Sequence, residues 1–123
     1  MDLVPPSNDI ILSRYLQSFG ISLFYSGDYY KSEGPLTRAL KIREVALDNM
    51  DTKLADSYYY LGWLYNLQGR YDGAEQLYKR SLTIREKVFG PEHSETADSL
   101  NSLGTLYHDK GRYDEAEPFY KRV

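Results

Sequence analysis

The sequence predicts an all-α fold in which about three helical hairpins stack into a superhelix. The first observation is an internal repeat, because Gly20, Gly62 and Gly104 lie 42 positions apart. The same interval separates Gly27, Gly69 and Gly111, and then Tyr29, Tyr71 and Tyr113. The second observation is that each period carries two stripes of apolar residues at helical spacing. Such repeats are typical of helical solenoids, in which every unit buries its apolar face against its neighbours.

The first helix of a unit is clearest in the second period. Leu54, Tyr58, Leu61 and Tyr65 recur three or four positions apart, which is the spacing of one face of an α-helix. Gly69 follows this stripe, and glycine commonly ends a helix because it adopts the left-handed backbone conformation without strain. We therefore expect a helix that ends just before Gly69.

A second helix is expected to follow at once. Tyr71, Ala74, Tyr78 and Leu82 form another stripe with the helical period. The segment 89–94 then supplies a glycine and a proline, which end a helix, and a serine, which favours the start of the next one. Each unit is thus predicted to be a helical hairpin followed by a short connector.

The glycines inside the first helices need a reason, because glycine in a helix interior costs about 1 kcal/mol relative to alanine. Close approach of two backbones is such a reason. The repeat predicts that the glycine of each first helix faces a small residue of the following helix, in the pairs Gly62 with Ala74, Gly104 with Ala116, and Gly20 with Ser32.

The predicted organisation is an N-terminal extension over residues 1–9 and a repeat array over residues 10–123. The units span about 10–51, 52–93 and 94–123, and the last is truncated. Unit one departs from the pattern because Pro35 lies within its second helix, which predicts a kinked helix or a late start. The truncated unit predicts either a fragment of a longer protein or end-to-end self-association through exposed apolar residues, with the candidates Leu103, Leu106, Tyr107 and Phe119.

Composition and short motifs exclude several classes of function. The net charge is −3 without a block of Lys or Arg, so we expect no nucleic-acid partner. No apolar run reaches membrane-spanning length and no signal peptide is recognisable, which predicts a cytoplasmic protein without membrane contact. Cysteine is absent and His93 and His108 lie on different elements, so no metal site is expected. No catalytic or phosphate-binding motif is present, and we predict a protein that is not an enzyme and needs no cofactor.

The repeat resembles the tetratricopeptide signature. In unit two the matching residues are Tyr58, Leu61-Gly62, Tyr65, Gly69, Tyr71, Ala74 and Tyr78, and in unit three they are Leu100, Leu103-Gly104, Tyr107, Gly111, Tyr113, Ala116 and Tyr120. The long period and the amino-acid sequence of residues 78–93 are similar to those of the repeats of kinesin light chains. This resemblance implies a right-handed superhelix whose concave groove, lined by the first helices, binds a protein or peptide.

The resemblance also places the groove residues when Leu-Gly sets the register. The positions that it implies are Arg14, Gln17, Ile21 and Phe24 in unit one, Asp56, Tyr59, Tyr60, Trp63 and Asn66 in unit two, and Asn101, Thr105 and His108 in unit three. Trp63 has two interpretations of equal weight, since it could anchor a ligand or pack between adjacent first helices.

The predicted function is that of an adaptor or scaffold that binds a protein or peptide of unknown identity. Two alternatives remain open on the sequence. The units could serve a structural or self-assembly role, or the chain could be part of a larger multidomain regulator.

Overall fold

A computed structural model describes residues 9–122 of the chain, so most of the predicted N-terminal extension and Val123 lie outside the described residues. Over the described range the chain forms six α-helices, namely α1 (Ile10–Tyr25), α2 (Tyr29–Ala46), α3 (Thr52–Leu67), α4 (Tyr71–Phe89), α5 (Ser94–Asp109) and α6 (Tyr113–Arg122). The helices pair as α1–α2, α3–α4 and α5–α6, and the pairs stack in chain order because α2 packs on α3 and α4 on α5. The predicted all-α array of helical hairpins is confirmed.

Tight turns close the hairpins. In the second hairpin the N–H of Gly69 donates to the carbonyl of Asn66 at 3.0 Å, and the N–H of Arg70 donates to the carbonyl of Tyr65 at 2.8 Å. Gly69 has a φ of 77°, in the left-handed region that glycine adopts without a steric penalty. The two helices are thereby joined by three residues and must run antiparallel.

Helix starts are set by side chains that accept the first free N–H groups. Asp28 and Asp51 do so at α2 and α3. The predicted cap at Ser94 is wrong, because α5 begins at Ser94 and the capping residue is His93. His93 Nδ1 accepts a hydrogen bond from the N–H of Glu95 at 3.1 Å, so a ring nitrogen is the capping acceptor in place of the predicted Ser94 hydroxyl.

The helix-interior glycines do mark close approaches, although not to the predicted residues. A β-carbon built on Gly62 would lie 2.8 Å from Cδ1 of Tyr78, and one on Gly104 would lie 2.7 Å from Cε1 of Tyr120. Gly20 faces Leu36 in the same way, at 2.6 Å from its Cγ. The nearest atoms belong to the large side chain four residues beyond Ala74, Ala116 or Ser32, which lies across the glycine.

The expected late start of α2 is also wrong. The helix begins at Tyr29 and contains Pro35 in its interior. Asp28 accepts the N–H of Lys31 at 3.3 Å and so defines the start ahead of the proline. Pro35 deprives only the carbonyl of Lys31 of its helical donor, and Lys31 is an exposed residue.

A buried arginine connects each hairpin to the next. Nη1 of Arg43, a residue of α2 that is 5% exposed, donates to the carbonyl of Lys53 at 3.1 Å and to Oγ of Ser57 at 2.9 Å. Burial lowers the pKa of Arg43, and this effect outweighs the opposing attraction of Asp56 and Asp51.

The same contact recurs one period later. Nη1 of Arg85 in α4 donates to the carbonyl of Glu95 at 3.2 Å and to Oγ of Ser99 at 2.9 Å. Its Nη2 donates to Asp56 at 3.0 Å. Each of the two junctions between hairpins therefore contains one buried arginine, and the acceptors of the two arginines lie at equivalent positions of the repeat. We call Arg43, Arg85 and their acceptors the arginine contacts.

The predicted apolar edge at the third hairpin is largely wrong. Leu103, Leu106 and Tyr107 are buried, and Phe119 is half-buried. Helix α6 is short, but it covers these residues, as the rings of Phe119 and Tyr107 stack with centroids 5.4 Å apart.

Replacing Gly62 by alanine is expected to destabilise the protein by about 1–3 kcal/mol, because the new methyl group overlaps the ring of Tyr78. The measurement is the free energy of unfolding in urea. Gly34→Ala is the control, since a β-carbon there meets nothing within 4 Å. Its effect should stay within about 1 kcal/mol, because gained helix propensity opposes the strain of a residue that precedes proline. Equal losses in both variants would contradict the packing argument.

Replacing Arg85 by lysine is expected to cost about 2–4 kcal/mol, because a lysine ammonium lacks the planar fork that meets three acceptors at once. Arg38→Lys makes the same substitution on an exposed part of α2 and should change stability by less than about 0.5 kcal/mol. Chemical denaturation of both variants tests the prediction. A lysine at position 85 that is tolerated as well as one at position 38 would show that the arginine contacts do not stabilise the array.

Candidate functional site

The first helices of the hairpins form the inner face of the stack. Helix α3 approaches both α1 and α5 closely, whereas within the described residues the second helices α2, α4 and α6 make no close contact with one another. Elements on the inside of a curved stack lie closer together than those on the outside. We therefore call the face formed by α1, α3 and α5 the candidate groove.

The twelve sequence-predicted groove residues fall into three groups by burial. Exposed side chains are those of Arg14, Asn101, Thr105 and His108. Half-buried side chains are those of Ile21, Asp56, Tyr59, Tyr60 and Trp63. Buried side chains are those of Gln17, Phe24 and Asn66.

The three buried residues correct the prediction, because they lie beneath the surface on which a ligand would rest. Phe24 is 4% exposed and packs in the core with Leu36 and Leu61. Gln17 accepts a hydrogen bond from Oγ of Ser57 at 3.4 Å, so it belongs to the contact between hairpins.

Asn66, the third of them, joins the second and third hairpins. Its Nδ2 donates to Oδ2 of Asp109 at 3.2 Å. This amide is 9% exposed and supports the end of the candidate groove from below. Its role in the fold follows from position, since it lies on the side of α3 that faces α5.

Trp63 lies on the seam between α1 and α3 and remains half-exposed. Its ring centroid is 4.7 Å from that of Phe24 and 6.1 Å from that of Tyr25. Tyr59 and Tyr60 of its own helix lie 6.1 and 6.3 Å away. Both interpretations of Trp63 remain physically compatible, because one part of the indole packs between helices and another part faces the solvent.

Tyr25 is a groove candidate that the sequence reasoning missed. It is 64% exposed, and it directly follows Phe24, the residue to which the register assigned this place. The repeat register could have indicated that Tyr25 is exposed, because residues 67 and 109, one and two periods later, are also exposed. Tyr25, Tyr59, Tyr60 and Trp63 together are called the aromatic cluster below.

The tyrosines of the cluster are held by polar and cationic neighbours. Burial raises the pKa of Tyr60, and hydrogen bonding with Tyr25 adds to the effect. The guanidinium of Arg85 lies 4.6 Å from the ring centroid of Tyr59, a cation–π distance. Tyr60 therefore keeps its phenol proton at neutral pH and remains a hydrogen-bond donor.

The third hairpin contributes a polar half to the candidate groove. Asp98, Asn101, Thr105 and Asp109 are exposed along α5 at spacings of three or four residues. Arg14 is exposed on α1, at the opposite side. The candidate groove thus combines an aromatic half on α1 and α3 with an acidic, hydrogen-bonding half on α5.

Among residues 9–122, no group of three or more His, Asp or Glu side chains is arranged to hold a metal ion. None of the helices within that range combines the length and the apolar character needed to cross a membrane.

Several solved structures share this fold. BtubC (BKLC) from P. vanneervenii superposes with a TM-score of 0.80 at 20% identity, covering 89% of this chain and 44% of that chain. The nearly identical repeats of a protein assigned as a kinesin light chain in Podosopora anserina give a TM-score of 0.81 at 18% identity, covering 89% and 52%. MamA gives a TM-score of 0.71 at 24% identity, covering 93% and 54%. At these identities the likeness concerns the fold, and the chain spans about half the length of the structures it matches.

The sequence itself matches a family model. A search of the curated proteins finds no match. The model of the tetratricopeptide repeat matches residues 12–87 and 53–123, which together include nearly all the described helices. The predicted resemblance to tetratricopeptide repeats is confirmed, and the fold is the one also seen in kinesin-light-chain-type repeats. The chain therefore belongs to the tetratricopeptide repeat family.

Proposed function

We propose that the chain binds a segment of another protein in the candidate groove. The observation that carries the proposal is the aromatic cluster, which leaves four aromatic side chains wholly or partly exposed on the inner face. Aromatic residues that keep a polar tip are frequent anchors in protein interfaces, because they bury much area at a small cost in side-chain entropy. The tetratricopeptide fold in general serves as a scaffold for protein interactions.

The two halves of the candidate groove suit different parts of a ligand. The seam between α1 and α3 offers apolar surface for a side chain, and the phenols of Tyr25 and Tyr60 add polar atoms at its border. Asn101 and Thr105 on α5 offer an amide and a hydroxyl, which match the N–H and carbonyl groups of an extended peptide. An adaptor role follows, in which recognition rather than chemistry is the function.

Other parts of the predicted function stay predictions. They are the cytoplasmic location, the absence of a nucleic-acid partner, the lack of enzymatic activity, and the possible place of the chain within a larger regulator. The division into units at about 10–51, 52–93 and 94–123 is likewise a working description of the repeat.

Thr105→Arg is expected to weaken peptide binding tenfold or more, because a long charged side chain would occupy the polar half of the candidate groove on α5. The probes are peptides selected from a random twelve-residue library against the whole chain. Trp63 is the single tryptophan, so its fluorescence reports binding at the aromatic cluster directly.

Gln76→Arg provides the matched control, since it introduces the same charge at an exposed position of α4 on the outer face. The control should bind each selected peptide as the parent does. If both variants bind equally well, the ligand site lies outside the candidate groove. A library that yields no peptide binding below about 1 mM would contradict the proposal as a whole.

A further inference from the structure

Helix α1 exposes an apolar stripe on one side. Ile11, Tyr15 and Phe19 are 64%, 72% and 58% exposed, and their spacing of four places them along one face of the helix. Arg14 is the one charged residue of this sixteen-residue helix. Contiguous apolar patches on soluble proteins usually mark contact surfaces.

The repeat identifies what this face does elsewhere in the chain. One period later the same positions hold Lys53, Ser57 and Leu61 of α3. There the carbonyl of Lys53 and Oγ of Ser57 accept from Arg43, and Leu61 is buried against the first hairpin. The stripe of α1 is therefore equivalent to the face of α3 that packs on the first hairpin.

The positions of α5 repeat this use. Glu95 and Ser99 accept from Arg85, and Leu103 is buried in the cluster shared with α4. Both serines are almost wholly buried, at 1% and 0% exposure for Ser57 and Ser99. A small hydroxyl-bearing residue is thus what this interface requires at its centre.

Tyr15 occupies that central position in α1. In the two junctions, the arginine of the preceding hairpin meets a serine hydroxyl. A preceding hairpin of the same kind would instead bring its arginine to the phenol ring of Tyr15. A tyrosine side chain is several atoms longer than a serine, so its hydroxyl cannot lie where the serine acceptors lie in the two junctions. The face is consequently shaped for apolar contact rather than for another junction of the arginine type.

We propose that this face binds the same face of a second copy of the chain, with the two α1 helices antiparallel. Ile11 and Phe19 lie four positions to either side of Tyr15, so a two-fold axis at Tyr15 sets Ile11 of one copy against Phe19 of the other. Such a self-complementary arrangement is the usual form of a protein homodimer. The stripe itself carries no charge, and the long side chain of Arg14, which lies beside Ile11 and Tyr15, keeps its guanidinium in solvent at the rim of the contact.

The exposed area indicates a weak dimer. The three side chains expose about 400 Å² per copy, given the usual area of such residues and their exposure. The interface then buries at most about 800 Å² in total from these residues, which is below the range of stable complexes and at the level of weak, transient ones. A dissociation constant on the order of 100 μM is expected.

Sedimentation equilibrium of the whole chain from about 10 μM to 1 mM tests the proposal. The average mass should rise from 14.3 kDa towards twice that value. Tyr15→Ser and Ile11→Lys introduce the residues of unit two and should each weaken dimerisation tenfold or more. Tyr30→Ser changes a tyrosine of α2 that is 90% exposed and should leave the dissociation constant unchanged.

Two outcomes would overturn the dimer. One is a chain that remains a monomer at 1 mM, and the other is a dimer that Tyr15→Ser weakens no more than Tyr30→Ser does. Circular dichroism melting separates these results from unfolding, because both tyrosines are exposed and neither variant should lower the thermal midpoint appreciably.

The two-fold geometry has its own test, which uses the absence of cysteine from the sequence. With oxidised glutathione as the oxidant, Tyr15→Cys should rapidly form a disulfide-linked dimer, because the axis brings position 15 of the two copies together. Tyr30→Cys should cross-link at least tenfold more slowly. Equal rates would overturn the antiparallel arrangement about Tyr15.

Discussion

The buried guanidinium between consecutive hairpins is the interaction on which the remaining geometry depends. Apolar contact between helices has little directional preference, so it stabilises a stack without defining how one hairpin sits on the next. Arg43 and Arg85 add direction, because a buried cation is costly unless its donors meet acceptors at good geometry. Each finds a backbone carbonyl and a serine hydroxyl at positions one period apart. The two junctions therefore repeat one arrangement, and α1, α3 and α5 come to lie on the same side.

The second junction is also connected to the candidate groove. Arg85 donates to Asp56 and lies over the ring of Tyr59, both of which belong to the inner face of α3. The carboxylate of Asp56 is thus partly neutralised, and the ring of Tyr59 is held in one orientation. A groove prepared in this way loses little side-chain entropy when a ligand binds. Arg85 therefore contributes both to the stability of the array and to the order of the aromatic cluster.

Sequence periodicity predicted the hairpins and their turns, because a helical stripe and a glycine are local signals. It identified the close approach at Gly62 but not its partner, since a stripe defines the face of one helix and not which residue of another helix crosses it. Register alone assigns Phe24 to the groove, because this residue lies at the border between the core stripe and the inner face, where register cannot separate burial from exposure. His93 was missed as a cap because its role depends on the conformation of one side chain.

The expectation of an exposed edge at the third hairpin failed for a related reason. Helix length suggested missing cover, yet one and a half turns of α6 carry Ala116, Phe119 and Tyr120 onto α5, and this is sufficient to bury Leu103 and Leu106. Exposed apolar surface occurs instead on α1, where the helix has its full length but its central residue differs. Tyr15 in place of a serine moves the hydroxyl away from the helix backbone, where the two junctions have their acceptor, and supplies a flat apolar ring. The proposed contact between copies would therefore depend on the identity of one residue at the centre of a helix face.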